Sequence, residues 1–220
     1  MKSSLQIHDE KLMTGSRLLI GLDEVGRGAL AGPVFTAACL MKDNFFKNDD
    51  SLSLTAGFRD SKKMSAGKRE DAYQSLIYLK KIGTIDFEIS SASVAEIESL
   101  NITGATRLSI GRSLKALRAR QRQPALVETL ILMDGKPLKD FSYPHQAIVG
   151  GDDLSLAIAS ASILAKVARD RYMNTLGEQF PRYDWQKNKG YGTKFHREQI
   201  QLAGACSEHR ALFLRKIIND

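Results

Sequence analysis

Asp23 and Glu24 stand side by side after a short apolar run (Leu18, Leu19, Ile20, Leu22) and just before a glycine-arginine-glycine turn, Gly26, Arg27 and Gly28. Two further acids occupy similar places. Asp134 closes the run VETLILM and is followed by Gly135, and Asp152 follows Gly150 and Gly151 after QAIV. Acids at several strand ends gather on one edge of an α/β sheet, where like charges resist joint ionisation. A divalent cation removes that cost, because Mg²⁺ takes hard oxygen ligands from a few carboxylates and from substrate phosphate. Two such ions about 3.5–4 Å apart stabilise the attacking and leaving oxygens of a phosphodiester. The pattern therefore suits metal-assisted phosphodiester hydrolysis, with the Arg27 guanidinium beside it for a phosphate.

Each acid alone has a plainer explanation. Strand-end Asp-Glu pairs are commonly solvated, and Asp134 before Gly135 fits an ordinary strand-to-turn aspartate. Asp152 and Asp153 would favour the positive end of a following helix. It is the acids together, in a basic chain, that point to a metal nuclease. Strand side chains alternate in direction, so Asp23 and Glu24 cannot share a face while the strand stays regular. Asp23 is expected as the central ligand, with Glu24 reaching in where the strand breaks, by its carboxylate or its main-chain carbonyl.

The chain has 220 residues, which favours one domain with at most a small appendage. Its 32 Lys and Arg against 25 Asp and Glu leave a charge of +7, an excess that favours polyanionic partners, nucleic acid first. Basic residues concentrate at 107–122, 166–171 and 182–197, candidate walls of a groove around the acids. No apolar run reaches the roughly 18 residues of a membrane span. The opening MKSSLQIHDEKLM lacks the apolar segment of a secretory signal. Cys39 lies in an apolar run and reads as core, and Cys206 has no ligand spacing, so a disulfide-free cytoplasmic protein is expected.

Around the acids the pattern predicts alternating strands and helices. Residues 1–16 read as a loose lead-in or a short helix. A strand at 18–22 pairs antiparallel with one at 33–41, and 42–60 reads as a surface loop with one helical turn. A helix at 65–80 buries Ala72, Leu76 and Leu79. A half-covered strand spans 82–90, and a short helix at 93–100 opens with the capping box Ser93 and Glu96. A longer helix follows at 103–120, and Pro124 ends that region. Strands at 127–133 and 146–149 come next, then the longest helix, 154–179, rich in Ala and Ser. A Pro, Gly and aromatic loop at 181–192 precedes two closing helices, 196–202 and 210–218. The pattern is α/β with a helical C-terminal end.

The motifs GLDEVGRGALAGPV (21–34), DSKKMS (60–65), LMDGKPL (132–138), QAIVGGDDLS (146–155), ASILAKVARDR (161–171), KGYGT (189–193) with His196, and EHRALF (208–213) resemble ribonuclease HII, the type 2 branch of the ribonuclease H family. The resemblance spans nearly the whole chain. It implies a ribonuclease H-like mixed sheet flanked by helices, with 1–16 as lead-in, 17–220 as one catalytic domain, and a helical extension from about 181. It implies cleavage of the RNA strand of RNA–DNA hybrids and incision 5′ of single ribonucleotides in duplex DNA, as in ribonucleotide excision repair. The products are 3′-hydroxyl and 5′-phosphate ends, and the cofactor is Mg²⁺ or Mn²⁺, two ions with substrate bound. Asp23, Glu24, Asp134 and Asp152 carry over as catalytic metal ligands.

The same resemblance assigns ribonucleotide recognition to Gly26, Arg27, Gly28 and Tyr191, and offers Lys62 and Lys166 as phosphate contacts. Lys166 would be served equally by a structural carboxylate. His196 is expected to buttress the loop rather than move protons. Lys136, Gly150, Asn188 and Ala205 depart from the family pattern, but none is an acid or part of the turn. The expected partners are the two kinds of duplex, with no membrane, a monomeric chain, and a replication clamp as a candidate at the C-terminal end. The retained Gly-Arg-Gly turn and the early start of the sheet favour type 2 over type 3. Two rivals are a non-catalytic hybrid-binding module and a resolvase or transposase core of the same superfamily.

Overall fold

The computed structural model describes residues 1–13, 18–120 and 129–218. At its centre lies β1 (Leu18–Val25), whose residues Leu19 to Asp23 are all buried. It pairs antiparallel with β2 (Val34–Lys42) and parallel with β4 (Thr129–Asp134), which explains its near-continuous apolar sequence. β3 (Ile85–Ala92) lies beyond β2, and β5 (Gln146–Ile148) beyond β4, giving a mixed sheet in the order β3-β2-β1-β4-β5. Helices cover both faces. Ile20 and Leu22 pack with Ile110, Leu114 and Leu117 of α4 (Val94–Arg120), while Leu19 belongs to the core under α5 (Leu156–Gln179).

The long helix α5 tracks β1 and continues past its end. Gly21 makes this approach possible: a Cβ there would lie 2.1 Å from the carbonyl carbon of Ala157. Farther along, Arg169 lies against Gly26 and Met173 against Gly32. The helix is capped by Ser155, whose hydroxyl accepts from the Ile158 amide. Its small residues let it lie close to the sheet.

Several expected elements shift. The lead-in takes the short-helix alternative, α1 (Ser4–Leu12), with a capping box between Ser3 and Gln6. It is docked through Asp9, which is fully buried and accepts from Ser155 Oγ at 3.0 Å and the Ala157 amide at 2.8 Å. The stretch 42–60 holds a 3₁₀ turn (Phe45–Lys47) and α2 (Asp49–Thr55), not one turn in a loop. Asn48 caps α2 and two acids occupy its first turn, local signals that a search for apolar periodicity passes over. The expected helices at 93–100 and 103–120 run together as α4, interrupted at Asn101 (φ 56°), whose side chain accepts from the amides of Thr103 and Gly104. The helix expected at 65–80 forms as α3 (Ala66–Lys81). Pro124 and the start of the expected strand at 127 lie outside the described residues.

The C-terminal loop is also more ordered than expected. It contains a 3₁₀ turn (Pro181–Tyr183) and α6 (Trp185–Asn188), followed by α7 (Lys194–Ala203) and α8 (Ala211–Ile218). Tyr183, Trp185, Ile200 and Leu214 build a small core with Met173 and Leu176 of α5. Among the described residues, no helix is long and apolar enough to cross a membrane.

Candidate active site

Leu22 and Met133 are matched across the parallel pair β1 and β4, so Asp23 and Asp134 follow as the next residues on neighbouring strands. Both occupy the face that α5 covers. The Ser162 hydroxyl of α5 donates to Asp23, and it lies 2.8 Å from Ser61 Oγ in the segment after Asp60. The Asp134 carboxylate accepts from the Gly151 amide at 2.7 Å. That bond ties the end of β4 to the turn Gly151–Asp153, which carries Asp152 in a buried position.

β1 does not break at Glu24, contrary to the expectation. Asp23 still pairs with Ala37, Glu24 with Thr36 and Val25 with Phe35, because β2 carries the ladder on after β4 has ended. The turn begins only at Gly26, at φ 90°, where a Cβ would collide with Arg169 Nε at 2.1 Å. Glu24 therefore points to the other face, with Oε1 3.3 Å from Arg27 Nη1.

The acids act on one another through space. Burial raises the Asp23 pKa well above the ordinary carboxylate range, and the charges of Glu24 and Asp134 add to this. Burial likewise raises Glu24, with Arg27 opposing and Asp134 reinforcing. Asp152 is pushed up to about 6 by burial and by Asp60 and Asp134. The nearby cation is Lys62: burial would lower its pKa, but Asp23, Asp60, Asp152 and Asp134 together raise it. A cluster of carboxylates that makes its own members hold protons is a donor set that fits a hard divalent cation.

Asp60 was not among the acids singled out from sequence. Its carboxylate caps the 3₁₀ turn Ser61–Lys63 by accepting from the Lys62 amide at 2.8 Å. Carboxylate oxygens of Asp60, Asp152 and Asp153 lie within 4.8 Å of one another. The signal was present at the head of DSKKMS, but nothing local in that motif shows that it faces Asp152. Asp153 pairs with Lys63.

The remaining site residues fall into two groups. Arg27 and Gly28 are exposed at the turn, and a Cβ on Gly28 would meet nothing within 4 Å. Tyr191 is exposed on the facing loop, its ring 5.4 Å from the Arg169 guanidinium carbon. The Gly190 carbonyl accepts from Leu30 and Ala31, which fastens this loop to the chain after the turn. Asn188, a departure from the family pattern, supports the loop by bonding the Tyr183 carbonyl and the Gly190 amide.

His196 Nδ1 is 2.9 Å from the Tyr191 carbonyl. The Cys206 amide donates to His209 Nδ1, so His209 Nε2–H faces His196 Nε2 at 3.1 Å and His196 must carry its proton on Nδ1. Burial keeps both rings neutral, lowering His196 and taking His209 down to about 4.

Lys166 lies one turn beyond Ser162 on α5 and is held by Asp170 at 2.7 Å, the structural carboxylate that its sequence context allowed. Much of the expected basic wall is similarly engaged. Arg112 pairs with Glu96, Arg120 with Asp86 and Glu88, and Arg171 with Glu70.

Comparison with known proteins adds a family. The sequence model of ribonuclease HII matches residues 20–216. A ribonuclease HII of Wolbachia sp. subsp. Brugia malayi (strain TRS) is 43% identical over 198 residues, covering 90% of this chain and 88% of the relative. In fold, the chain is similar to the ribonuclease H2 crystal structure from Pyrococcus horikoshii OT3, with a TM-score of 0.66 at 23% identity, covering 92% of this chain and 97% of that one. It is also similar to Bst-RNase HIII in complex with Mn²⁺, with a TM-score of 0.65 at 18% identity, covering 89% of this chain and 65% of that one.

Proposed function

Because the chain belongs to the ribonuclease HII family, and is thus a metal-dependent ribonuclease H acting on RNA–DNA hybrids, we propose that it also incises duplex DNA 5′ of a single embedded ribonucleotide, leaving 3′-hydroxyl and 5′-phosphate ends. The observation that carries this reading is the continuity of Asp23 and Glu24 with the turn at 26–28. A sugar-reading turn on the strand end that bears the acids would set the cut at a fixed offset from the sugar it reads.

In this reading Asp23 and Asp134 would hold divalent ions on the face under α5, and Asp152 would complete the set there. Glu24, whose side chain faces the other way, would reach them by its main-chain carbonyl. Either Mg²⁺ or Mn²⁺ suits an all-oxygen donor set, and Mn²⁺ is the ion bound by the fold neighbour Bst-RNase HIII. When bound, two such ions supply a nucleophilic water at neutral pH and screen the charge that grows on the phosphate. The chain's own residues do the rest. The open backbone at Gly28 admits a sugar closely, and the 2′-hydroxyl is the group that separates RNA from DNA. Arg27 stands over the same place, and the Tyr191 ring rests against the next sugar. Lys62 meets the backbone phosphate from the acid side. Lys166 joins it only by sharing its ammonium group with Asp170. Such phosphate contacts position the duplex and carry no sequence information.

The test is to map cleavage on an end-labelled duplex with one ribonucleotide, with Mg²⁺ and Mn²⁺ in parallel. A single cut on the 5′ side of the ribonucleotide is expected with either ion. Cutting only within continuous RNA, or cutting an all-DNA control, would contradict the reading.

A further inference from the structure

Two arginines outside the acid cluster are fully buried, Arg169 on α5 and Arg210 just before α8. Among the described residues neither has a carboxylate at ion-pair distance, although a buried charge is costly unless it is compensated. All of their hydrogen bonds go to main-chain carbonyls. Arg169 donates to Pro33 (3.2 Å), Ala31 (3.2 Å) and Lys189 (2.9 Å). Arg210 donates to Gly32 (2.8 Å), Gly26 (2.8 Å) and Arg27 (3.1 Å). Every acceptor lies in one of two segments: the turn with its following residues, and the loop that presents Tyr191.

We propose that Arg169, whose donors reach both segments, is a specificity-determining positioning residue that fixes the spacing between the turn at 26–28 and Tyr191. Arg210 beside it fastens the turn itself to Gly32. The proposal rests on the reading that these two segments grip the ribonucleotide. A guanidinium offers a planar fork of donors that an ammonium cannot reproduce, so each arginine holds several carbonyls in one geometry. The Arg210 fork is not used merely to satisfy itself, since its Nη2 is buried without an acceptor. Burial also takes the Arg210 pKa down to about 9, with the Arg169 charge adding to that, so Arg210 keeps its charge at neutral pH. A single ribonucleotide offers one 2′-hydroxyl to hold, whereas a continuous hybrid offers many. Loosening the spacing therefore costs most where there is one sugar to read, and it costs kcat because the reacting groups are misplaced.

The test compares kcat and KM of Arg210→Lys and Arg169→Lys on a single-ribonucleotide duplex and on a continuous RNA–DNA hybrid, with circular dichroism as the fold check. Expected is a loss of roughly tenfold in kcat on the first substrate, with less than about threefold change on the second. Equal losses on both substrates, or no loss, overturn the proposal. Failure of both variants to fold would assign the arginines to the fold alone and also overturn it. Arg27→Ala and Tyr191→Ala run alongside. If they leave the substrate ratio unchanged, the recognition reading falls and takes the proposal with it. If they shift the ratio and the lysine variants do not, only the proposal falls.

Discussion

Asp23 and Asp134 come from strands more than a hundred residues apart in the chain, yet they stand next to each other one step past the matched pair Leu22 and Met133. Burial and the neighbouring negative charges raise the Asp23 pKa well above the ordinary range. Replacing either acid with its amide removes a charged ligand while keeping shape. Asp23→Asn and Asp134→Asn are each expected to lower hybrid cleavage by roughly a thousandfold or more. Duplex binding, measured by gel shift, should be retained. Undiminished cutting by either variant would refute the site.

The glycines of the turn separate a fold role from a ligand role. Gly26 sits at φ 90° with Arg169 where its side chain would be, so Gly26→Ala should lower Tm or abolish folding. Gly28 has ordinary φ and open space around it. Gly28→Ala should leave Tm within about 2 °C of the parent, as expected for an exposed site, yet slow incision at a single ribonucleotide. Full activity of that variant would mean that nothing approaches Gly28 closely.

Much of this arrangement was legible in the sequence, for identifiable reasons. Asp23, Asp134 and Asp152 each end an apolar run or follow a glycine pair, and parallel pairing of β1 with β4 is what makes such ends neighbours. The Ala72, Leu76 and Leu79 stripe of α3 and the Ser93–Glu96 capping box at the start of α4 are local signals, legible in the sequence and present in the fold. What stayed hidden is non-local. The persistence of β1 through Glu24 depends on its ladder with β2, which no residue near Glu24 announces. Asp60 faces Asp152 across the fold, and Arg169 and Arg210 seek carbonyls rather than acids, so charge pairing could not reveal them.

Asp9 illustrates the same point for stability. In the sequence it is one of several polar residues in the N-terminal stretch, but in the fold it is buried and caps the start of α5 through Ser155 and Ala157. Asp9→Ala should cost about 1–2 kcal/mol in denaturant unfolding, the usual loss of an N-terminal cap with buried bonds. Because α5 follows directly on the Asp152 turn, a drop in metal affinity is expected with it. Unchanged stability would show that α1 contributes nothing to α5.

The acids also predict how stability depends on pH without metal. Asp23, Glu24 and Asp152 have folded pKa values above their unfolded ones, to about 6 for Asp152. The native state then binds more protons than the unfolded state, so their contribution is fully present below the unfolded pKa. It is lost as pH rises through the folded values. Metal-free protein should therefore lose roughly 5 °C in Tm between about pH 4 and pH 7 from this source. Excess Mg²⁺ should restore most of it above pH 6, where the Asp152 carboxylate is free to bind it. A Tm that rises over the same range without metal, and ignores Mg²⁺, would contradict the electrostatic account.

The most direct measurement is a crystal structure of the protein soaked in Mn²⁺, with anomalous scattering used to place the ion. The account predicts a peak bridging the carboxylates of Asp23 and Asp134, with Glu24 or Asp152 alongside. An ion held solely by Asp60, Asp152 and Asp153, or no ion on Asp23 at all, would contradict it.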